Sequence, residues 1–342
     1  MAHRTVRDGY ASLVSRLNKS PQGAPDSPLL RKILAILMNE KEAGLISQLP
    51  LRPFSAQKAA WAWKQPEAEA RRILDDLAGR ALLVDVEIQD RTIYVLPPPM
   101  AGFFEFSLMR TRGDIDQKAL SELFYQYLNI EEDFVRELFT KGETQLGRIF
   151  VQEAVLDPDE AAHVLDYERA SEVIETASHI GVGMCYCRHK KEHLDGACDA
   201  PMHICMTFNA SAESLVRHGH ARKTSKEECL ELLGQAHDEG LVQFGENVQR
   251  RVNFICNCCG CCCEALLASR RFAHLHPVHT SNFLPEIDAG ECNGCGKCVT
   301  ACPVEAMTLV SANDPKRPRK RAAKLEPDLC LGCGVCVRAC TQ

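Results

Sequence analysis

The residues of this sequence that could do chemistry are mainly its cysteines. Residues 255–264 read ICNCCGCCCE, which places six cysteines within eight positions. Adjacent residues point in different directions along a regular backbone, so these six thiols cannot all bind one metal centre. All 19 cysteines of the 342-residue chain lie at or after Cys185. Thiols clustered at short spacing are typical of metal binding or catalysis, so the second half of the chain predicts metal sites.

One cysteine pattern occurs twice near the C-terminus, as CNGCGKCVTACP at 292–303 and as CLGCGVCVRACTQ at 330–342. Three cysteines at this spacing wrap a loop around one iron-sulfur cube, while the fourth cysteine reaches the other cube. A structural zinc site is the alternative, but paired zinc sites rarely use this spacing. The pattern therefore predicts two 4Fe-4S clusters with crossed ligands, one bound by Cys292, Cys295, Cys298 and Cys340 and the other by Cys330, Cys333, Cys336 and Cys302.

These motifs resemble the bacterial two-cluster ferredoxin domain over about residues 282–342. The resemblance implies two 4Fe-4S clusters and one-electron transfer. The first motif ends in Cys302-Pro303, as the family pattern does. The second ends in Cys340-Thr341-Gln342, so the strand that the family pattern adds there does not follow.

The connection between the two motifs contains a basic segment, DPKRPRKRAAK at 314–324. Such a segment is consistent with a solvated hairpin tip. A local basic field also speeds the encounter with an acidic protein, so the loop at 316–324 is a candidate docking patch for an acidic redox partner. Nucleic acid is a weaker third interpretation.

The middle of the chain carries further candidate ligands in a C-x-C-x10-C-x6-C series and in the cysteine-dense run. Scattered buried thiols and a zinc site are possible interpretations of the series, but we favour an iron-sulfur centre, since thiolates suit both metals. Ten thiols suffice for one or two additional clusters, for one larger unusual cluster, or for a single cluster with redundant cysteines. A centre with open coordination would allow substrate chemistry. The additional candidate ligands are Cys185, Cys187, Cys198, Cys205, Cys256, Cys258, Cys259, Cys261, Cys262 and Cys263.

Cys229 has a different context. It lies in TSKEECLELLGQAHDEG, where Thr224 and Glu227 fit a capping box and Gly240 ends the predicted helix. Cys229 shares a helix face with apolar residues and is predicted to pack in the core, since a free cysteine behaves as a small apolar residue. A further helix is predicted from about 158 to 178, opened by Asp157-Pro158, and residues 115–151 also have a helical pattern.

The N-terminal residues predict helices followed by a hairpin. Ser27-Pro28 opens the first helix, and further helices are expected near 41–48, from Ser55 to Trp63 and from Pro66 to Ala78. Residues 82–96 alternate apolar and polar side chains on both sides of a turn, which is typical of a hairpin. This order resembles a winged-helix domain. The candidate recognition helix is KQPEAEARRILDDLAGR at 64–80, in which basic and acidic residues balance. A protein contact is therefore favoured over DNA binding.

Composition and charge restrict the class of protein. The chain has 45% hydrophobic residues and a net charge of −6, and it has no run of about 18 apolar residues, so we expect a cytoplasmic protein without membrane insertion or general nucleic-acid affinity. The fold expected is α+β and multidomain: a winged-helix domain with an apolar linker at 1–110, a mainly helical cysteine-rich domain at 111–281 and a ferredoxin-type domain at 282–342.

The function favoured by these features is iron-sulfur electron transfer, by a protein or by a subunit of a redox complex. Two alternatives remain at this point: an oxidoreductase whose catalytic centre is the cysteine-rich middle, and a redox-responsive regulator that uses the winged helix. We expect an anaerobic host. No glycine-rich nucleotide motif is present, so no nucleotide cofactor is predicted.

Overall fold

The structure is a computed structural model that describes residues 8–20, 22–140, 145–315 and 317–342. It mixes helix and sheet, in agreement with the expected α+β class. The chain divides into two compact units. The first comprises Met1–Leu138, Gly181–Ala197 and Asn209–Lys223, and the second comprises Phe139–Ile180, Cys198–Phe208 and Thr224–Gln342. The division into three domains that is expected from sequence remains a prediction.

The α-helices within the described residues are, in chain order, α1 Gly9–Leu17, α2 Pro28–Leu37, α3 Glu40–Ile46, α4 Ala56–Trp63, α5 Glu67–Gly79, α6 Phe104–Phe106, α7 Gln117–Tyr125, α8 Glu132–Thr140, α9 Pro158–Ala161, α10 Ala170–Thr176, α11 Tyr186–Glu192, α12 Asn209–Arg217, α13 Lys226–Asp238, α14 Glu264–Arg271, α15 Lys297–Ala301 and α16 Val335–Ala339. Single 3₁₀ turns occupy Glu153–Val155, Asp166–Glu168, Ala273–Leu275 and Pro327–Leu329, and α7 continues as a wider π turn at Gln126–Ile130. None of these described helices is long and apolar enough to cross a membrane.

The strands are β1 Phe54–Ser55, β2 Val84–Ile88, β3 Arg91–Val95, β4 Gly147–Phe150, β5 Ile180–Met184, β6 His203–Phe208, β7 Arg222–Lys223, β8 Val242–Glu246, β9 Phe254–Cys258, β10 Met307–Ser311 and β11 Arg321–Leu325.

The first N-terminal helix predicted from sequence is confirmed. The hydroxyl of Ser27 accepts hydrogen bonds from the N–H groups of Leu29 and Leu30, at 3.1 and 3.3 Å, and Pro28 occupies the first turn of α2. The other helices expected before residue 80 also form, as α3, α4 and α5. Gly79 is the last residue of α5 rather than the residue that follows it.

The predicted hairpin is confirmed as β2 and β3, which pair in antiparallel register. Its turn residues Gln89 and Asp90 both have positive φ, at 48° and 60°, which matches a two-residue turn whose twist suits a hairpin. Strand β1 pairs with β3, giving the sheet order β1-β3-β2. The assignment of this segment to the winged-helix family remains a prediction.

The apolar segment after the hairpin belongs to the core of the first unit. Phe104 is fully buried, and its ring centroid lies 5.0 Å from that of Phe124 and 4.9 Å from that of Phe103. The sequence predicted an apolar linker at this place. The structure instead places these aromatic side chains among the helices that follow, where they bury apolar area.

A buried polar network in the first unit centres on Asp85. Its carboxylate accepts hydrogen bonds from Ser214 Oγ at 2.6 Å, His218 Nε2 at 3.0 Å and Arg217 Nη1 at 2.7 Å. Burial alone would raise the pKa of Asp85, but the hydrogen bonds and the cationic neighbours hold that pKa well below its usual range. The network therefore keeps a buried carboxylate ionised.

His220 lies close to this network and is also buried. Burial lowers the pKa of His220 to about 4, although a hydrogen bond from its Nε2 to the Gly79 carbonyl at 3.1 Å acts in the opposite direction. The imidazole is therefore neutral at pH 7.

The second unit is built on four strands in the antiparallel order β4-β8-β9-β6. Helices α10 and α13 contribute to one apolar core with these strands, which includes Phe150, Ile174, Met206 and Ile255. Cys229 belongs to the same core and is fully buried, which confirms its predicted packing role. The sequence did not predict this sheet. The helical pattern expected at 115–151 holds for α7 and α8 but is wrong at β4.

Two helix ends in the second unit differ from expectation. Asp157 does cap α9, but the helix predicted to reach residue 178 is interrupted between Ala161 and Ala170, where the Arg169 side chain donates to the carbonyls of Val164 and Ala161. Helix α13 is capped by Ser225 rather than Thr224. Both positions satisfy the capping pattern, so sequence alone could not choose between them.

Candidate metal centres

The two C-terminal cysteine motifs fold as matching loop-helix units. Helix α15 follows Gly296 and helix α16 follows Gly334, at φ values of 80° and 84°. Gly294 and Gly332 are also at positive φ, 72° and 70°. A left-handed backbone at both members of each pair lets the chain turn back on itself between successive cysteines, which is the path that a loop around a cluster requires.

Glycine is also required at two of these positions by space. A Cβ on Gly294 would lie 2.4 Å from the carbonyl oxygen of Arg321, and a Cβ on Gly332 would lie 2.2 Å from Ser281 Oγ. The loops therefore pack directly against backbone and side chains that hold their shape.

Four of the predicted ligands line one cavity, and we call them the Cys302 set: Cys302, Cys330, Cys333 and Cys336. The cavity is also lined by apolar side chains, among them Val304, Met307 and Leu331, which are buried. Cys302 comes from the first motif, whereas its three neighbours come from the second. The structure thus brings together the residues that the crossed assignment predicts for one cluster.

The other four predicted ligands form the Cys292 set: Cys292, Cys295, Cys298 and Cys340. Burial raises the pKa of Cys298, and the nearby thiol groups of Cys292 and Cys340 raise it further. This set is the more exposed of the two, because Cys295 and Cys340 are both exposed while every member of the Cys302 set is half-buried.

Backbone N–H groups are directed at sulfur in both sets. Ala306 N donates to Cys302 Sγ at 3.2 Å, Gly332 N to Cys330 Sγ at 3.4 Å and Ala323 N to Cys292 Sγ at 3.4 Å. The hydrogen bond from Ala323 is the main reason that the pKa of Cys292 is lowered. Donors of this kind favour thiolate over thiol, which is the form that binds metal.

Burial acts against the thiolate form in the Cys302 set. It raises the pKa of Cys333 to about 12 and that of Cys336 to about 11. Thiols with such pKa values stay protonated at pH 7 unless a cation offsets the cost of burying their charge, and a bound metal does this outright. The donor set and its apolar lining therefore fit an iron-sulfur cluster.

The cysteine-dense run contributes to a separate site, the four-cysteine group of Cys198, Cys259, Cys261 and Cys262. Their Sγ atoms all lie within 4.8 Å of one another. Three of these residues lie on the turn between β9 and α14, and Cys198 lies shortly before β6. Cys262 is buried and Cys261 is exposed, so the group lies at the surface of the second unit.

The remaining cysteines of the run form a second cluster of thiols, the Cys258 group of Cys256, Cys258 and Cys263. Cys263 Sγ lies 3.0 Å from Cys258 Sγ. Hydrogen bonds with Cys256 and Cys263 raise the pKa of Cys258 strongly, and burial adds to the effect. Strands β6 and β9 are antiparallel and Met206 pairs with Ile255. In this register Cys205 lies opposite Cys256.

Comparison with known proteins identifies the C-terminal segment. Residues 291–342 match the family described as the 4Fe-4S dicluster domain. The match supports the ferredoxin-like iron-sulfur domain that the sequence predicted, and it covers the cysteines of both sets. A search of curated proteins found no match for the chain, and a search of solved structures found none either.

The turn of the cysteine-dense run is in direct contact with the dicluster domain. A Cβ on Gly260 would lie 2.6 Å from the Pro303 carbonyl oxygen and 2.9 Å from Pro303 Cα. Pro303 follows Cys302, so the four-cysteine group and the Cys302 set are separated by a backbone-to-backbone contact. Sequence reasoning missed this role of Gly260, although a single glycine inside a run of cysteines is a signal of close backbone approach.

The dicluster domain is also fixed to the rest of the second unit. Gln152 N donates to the Cys333 carbonyl at 3.1 Å, and Ser281 Oγ donates to the Gly332 carbonyl at 2.6 Å. These contacts hold the loop that carries Cys333.

The last two predicted ligands, Cys185 and Cys187, lie in the first unit at the start of α11. The residues that follow them are unusual, since Arg188 and Lys190 are fully buried. Lys190 Nζ donates to Asn129 Oδ1 at 2.8 Å, and His189 Nδ1 lies 2.7 Å from the Leu108 carbonyl oxygen. Sequence reasoning missed this buried basic stretch, because its residue types are normally exposed.

The basic segment forms the tip of the β10-β11 hairpin, with Lys316 outside the described residues. Arg317 pairs with Asp314 at 2.9 Å, and Lys320 Nζ donates to the Ala289 carbonyl at 3.1 Å. Arg319 is exposed.

Proposed function

We propose that this chain is an iron-sulfur electron-transfer protein, or such a subunit of a redox complex, that binds two 4Fe-4S clusters in its dicluster domain. The observation that carries the proposal is the convergence of Cys302 with the three cysteines of the other motif around one apolar cavity. A crossed arrangement of this kind is typical of two-cluster ferredoxins.

The chain's own residues have distinct parts in this function. The Cys302 and Cys292 sets would hold the two clusters, which when bound accept and release single electrons. The N–H groups of Ala306, Gly332 and Ala323 stabilise charge on sulfur, and Val304, Met307 and Leu331 keep water away from the Cys302 set. Hydrogen bonds and burial both tune a reduction potential, so the two sets should differ in potential.

The difference in exposure suggests a direction for partner access. The Cys292 set, with exposed Cys295 and Cys340, is suited to exchange electrons with a protein in solution. Pro303, which follows Cys302, lies against Gly260, so the Cys302 set is close to the cysteine-dense turn rather than to a partner in solution.

The proposal is tested by anaerobic purification, iron and acid-labile sulfide analysis and an EPR-monitored redox titration. We expect about eight iron and eight sulfide for the two clusters, with two distinct one-electron signals. Cys333→Ala should remove one signal and Cys295→Ala the other. Cys229→Ala is the matched control, because Cys229 is a buried core thiol outside both sets. Anaerobically purified protein that contains neither iron nor acid-labile sulfide would refute the proposal.

We also propose that an acidic redox protein docks at the basic hairpin tip. The exposed side chains of Arg317 and Arg319 support this, since opposite charge speeds encounter and the effect is screened by salt. Arg319→Glu should slow association with an acidic flavodoxin-type or ferredoxin-type probe at low salt, and Arg270→Glu tests a basic position elsewhere. Equal rates for wild type and Arg319→Glu would contradict the docking site.

A further inference from the structure

The four-cysteine group has the spacing of ligands to a single ion. Cys198 Sγ lies 3.5 Å from Cys259 Sγ and 4.0 Å from Cys262 Sγ, and Cys261 Sγ lies 3.7 Å from Cys262 Sγ. A tetrahedral zinc site has Zn–S bonds of about 2.3 Å, so its sulfur atoms are about 3.8 Å apart. The three distances lie on both sides of that value.

The dicluster domain provides an internal comparison. Within the part of the chain that the structure describes, the four-cysteine group is the one set of three or more His, Cys, Asp or Glu residues whose ligand atoms all lie within 4.8 Å of one another. The eight dicluster cysteines do not meet that spacing, and the Cys302 set surrounds a cavity instead. Ligands that enclose a multi-atom cluster must stand further apart than ligands that share one ion.

We propose that Cys198, Cys259, Cys261 and Cys262 bind a single zinc ion as a tetrathiolate site. Four protein ligands close the coordination sphere, which is the arrangement of structural zinc sites rather than catalytic ones. The sequence predicted one or two additional iron-sulfur clusters among the ten cysteines of the middle segment, and we assign these four of them to zinc instead. It is independent of the electron-transfer function proposed for the dicluster domain.

The site would join segments that are distant in sequence. Cys198 and Cys259 are separated by 61 residues, and Cys259 packs on the small apolar cluster of Ile204, Ala236 and Leu241. The turn fixed in this way carries Gly260, which contacts Pro303 beside Cys302. The ion therefore acts as a positioning element for the Cys302 set.

Metal analysis of the anaerobically purified full chain tests the inference directly. We expect one zinc per chain in addition to about eight iron and eight sulfide, and zinc-edge X-ray absorption should give four sulfur neighbours at about 2.3 Å with no iron scatterer. Because this measurement uses the wild-type protein, it does not depend on how well any variant folds. The sulfide count separates this inference from the proposed function. Missing sulfide would refute the electron-transfer function, whereas missing zinc would refute the zinc site.

Variants then assign the ligands. Cys259→Ser should lose the zinc and keep both dicluster EPR signals, with a shift confined to the signal that Cys333→Ala removes. Cys229 is a thiol in the core of the same unit, so Cys229→Ala should keep the zinc. An iron count of twelve or more that falls by four in Cys259→Ser would overturn the inference in favour of a cluster. Unchanged zinc in Cys259→Ser, or iron in place of zinc, would overturn the assignment as well.

Discussion

Replacing Gly260 by alanine is the sharpest test of the contact between the cysteine-dense turn and the dicluster domain. The added Cβ would lie 2.6 Å from the Pro303 carbonyl oxygen, 2.9 Å from its Cα and 3.1 Å from its carbonyl carbon. All three atoms belong to the backbone, so no side-chain rotation can relieve the overlap. The φ angle of Gly260 lies outside the left-handed region, so the effect would be steric rather than conformational.

The magnitude follows from packing. Relaxed carbon–carbon contacts lie at about 3.5–4.0 Å, so the new Cβ would be roughly 0.6–1.1 Å too close to Pro303 Cα. Overpacking costs about 1–3 kcal/mol, and a rigid backbone neighbour places Gly260→Ala in the upper part of that range, at about 2–3 kcal/mol. One kcal/mol corresponds to roughly 2–4 °C in a domain of 150–250 residues, so we expect the melting temperature to fall by roughly 4–12 °C.

The assay is anaerobic thermal unfolding of the loaded protein, combined with EPR of the reduced state. Gly234→Ala is the control, since Gly234 lies in α13 with nothing within 4 Å of an added Cβ. That change should stabilise the helix by about 0.5–1 kcal/mol. In Gly260→Ala the EPR signal assigned to the Cys302 set should also change. A Gly260→Ala protein that has the wild-type melting temperature and keeps both EPR signals unchanged would refute the contact between Gly260 and Pro303 and its effect on the Cys302 set.

Three further predictions concern single buried groups. Asp85→Asn should lower the free energy of unfolding by about 3 kcal/mol at pH 7, since a buried ion pair is broken. Because the pKa of Asp85 is depressed in the folded state, the difference between variant and wild type in urea titrations should shrink as pH falls below about 4. A difference that does not depend on pH would contradict this prediction. His220 is buried as the neutral form with a pKa of about 4, so stability should fall by about 3 kcal/mol as pH drops from 6.5 to 4, and His220→Gln should remove that dependence. Cys229→Ala should cost about 1 kcal/mol in chemical unfolding with no loss of metal; lost iron or zinc would make Cys229 a ligand.

The elements that sequence predicted well have local causes. Ser27-Pro28 specifies a helix start by capping and by ring geometry, and the hairpin at 82–96 is specified by alternation around a turn. The sheet β4-β8-β9-β6 was missed because its strands are short and two of them carry cysteines that look like ligands. Those cysteines are part of strands as well, since Cys205 lies in β6 and Cys256 and Cys258 lie in β9.

The candidate sites divide in the same way. The convergence of the Cys302 set on one cavity could be predicted because its ligand spacing is local and repeated, and the crossing follows from the fourth cysteine; the Cys292 set stays a prediction. The four-cysteine group could not be predicted, because Cys198 contacts Cys259, which lies in a turn 61 residues later in the chain. Sequence grouped Cys198 with its chain neighbours Cys185, Cys187 and Cys205, whereas the tertiary fold places it with Cys259, Cys261 and Cys262.

The crowding of six cysteines in eight positions is explained by a change of backbone direction within the run. Cys256 and Cys258 share one face of β9, because alternate residues of a strand point the same way. The chain then turns at Gly260, which directs the turn cysteines toward Cys198, and Cys263 begins α14 and returns to Cys258. A strand, a turn and a helix start thus divide one run between two thiol groups. Metal content of Cys263→Ala compared with Cys262→Ala would reveal this division, since only the second substitution should release the zinc.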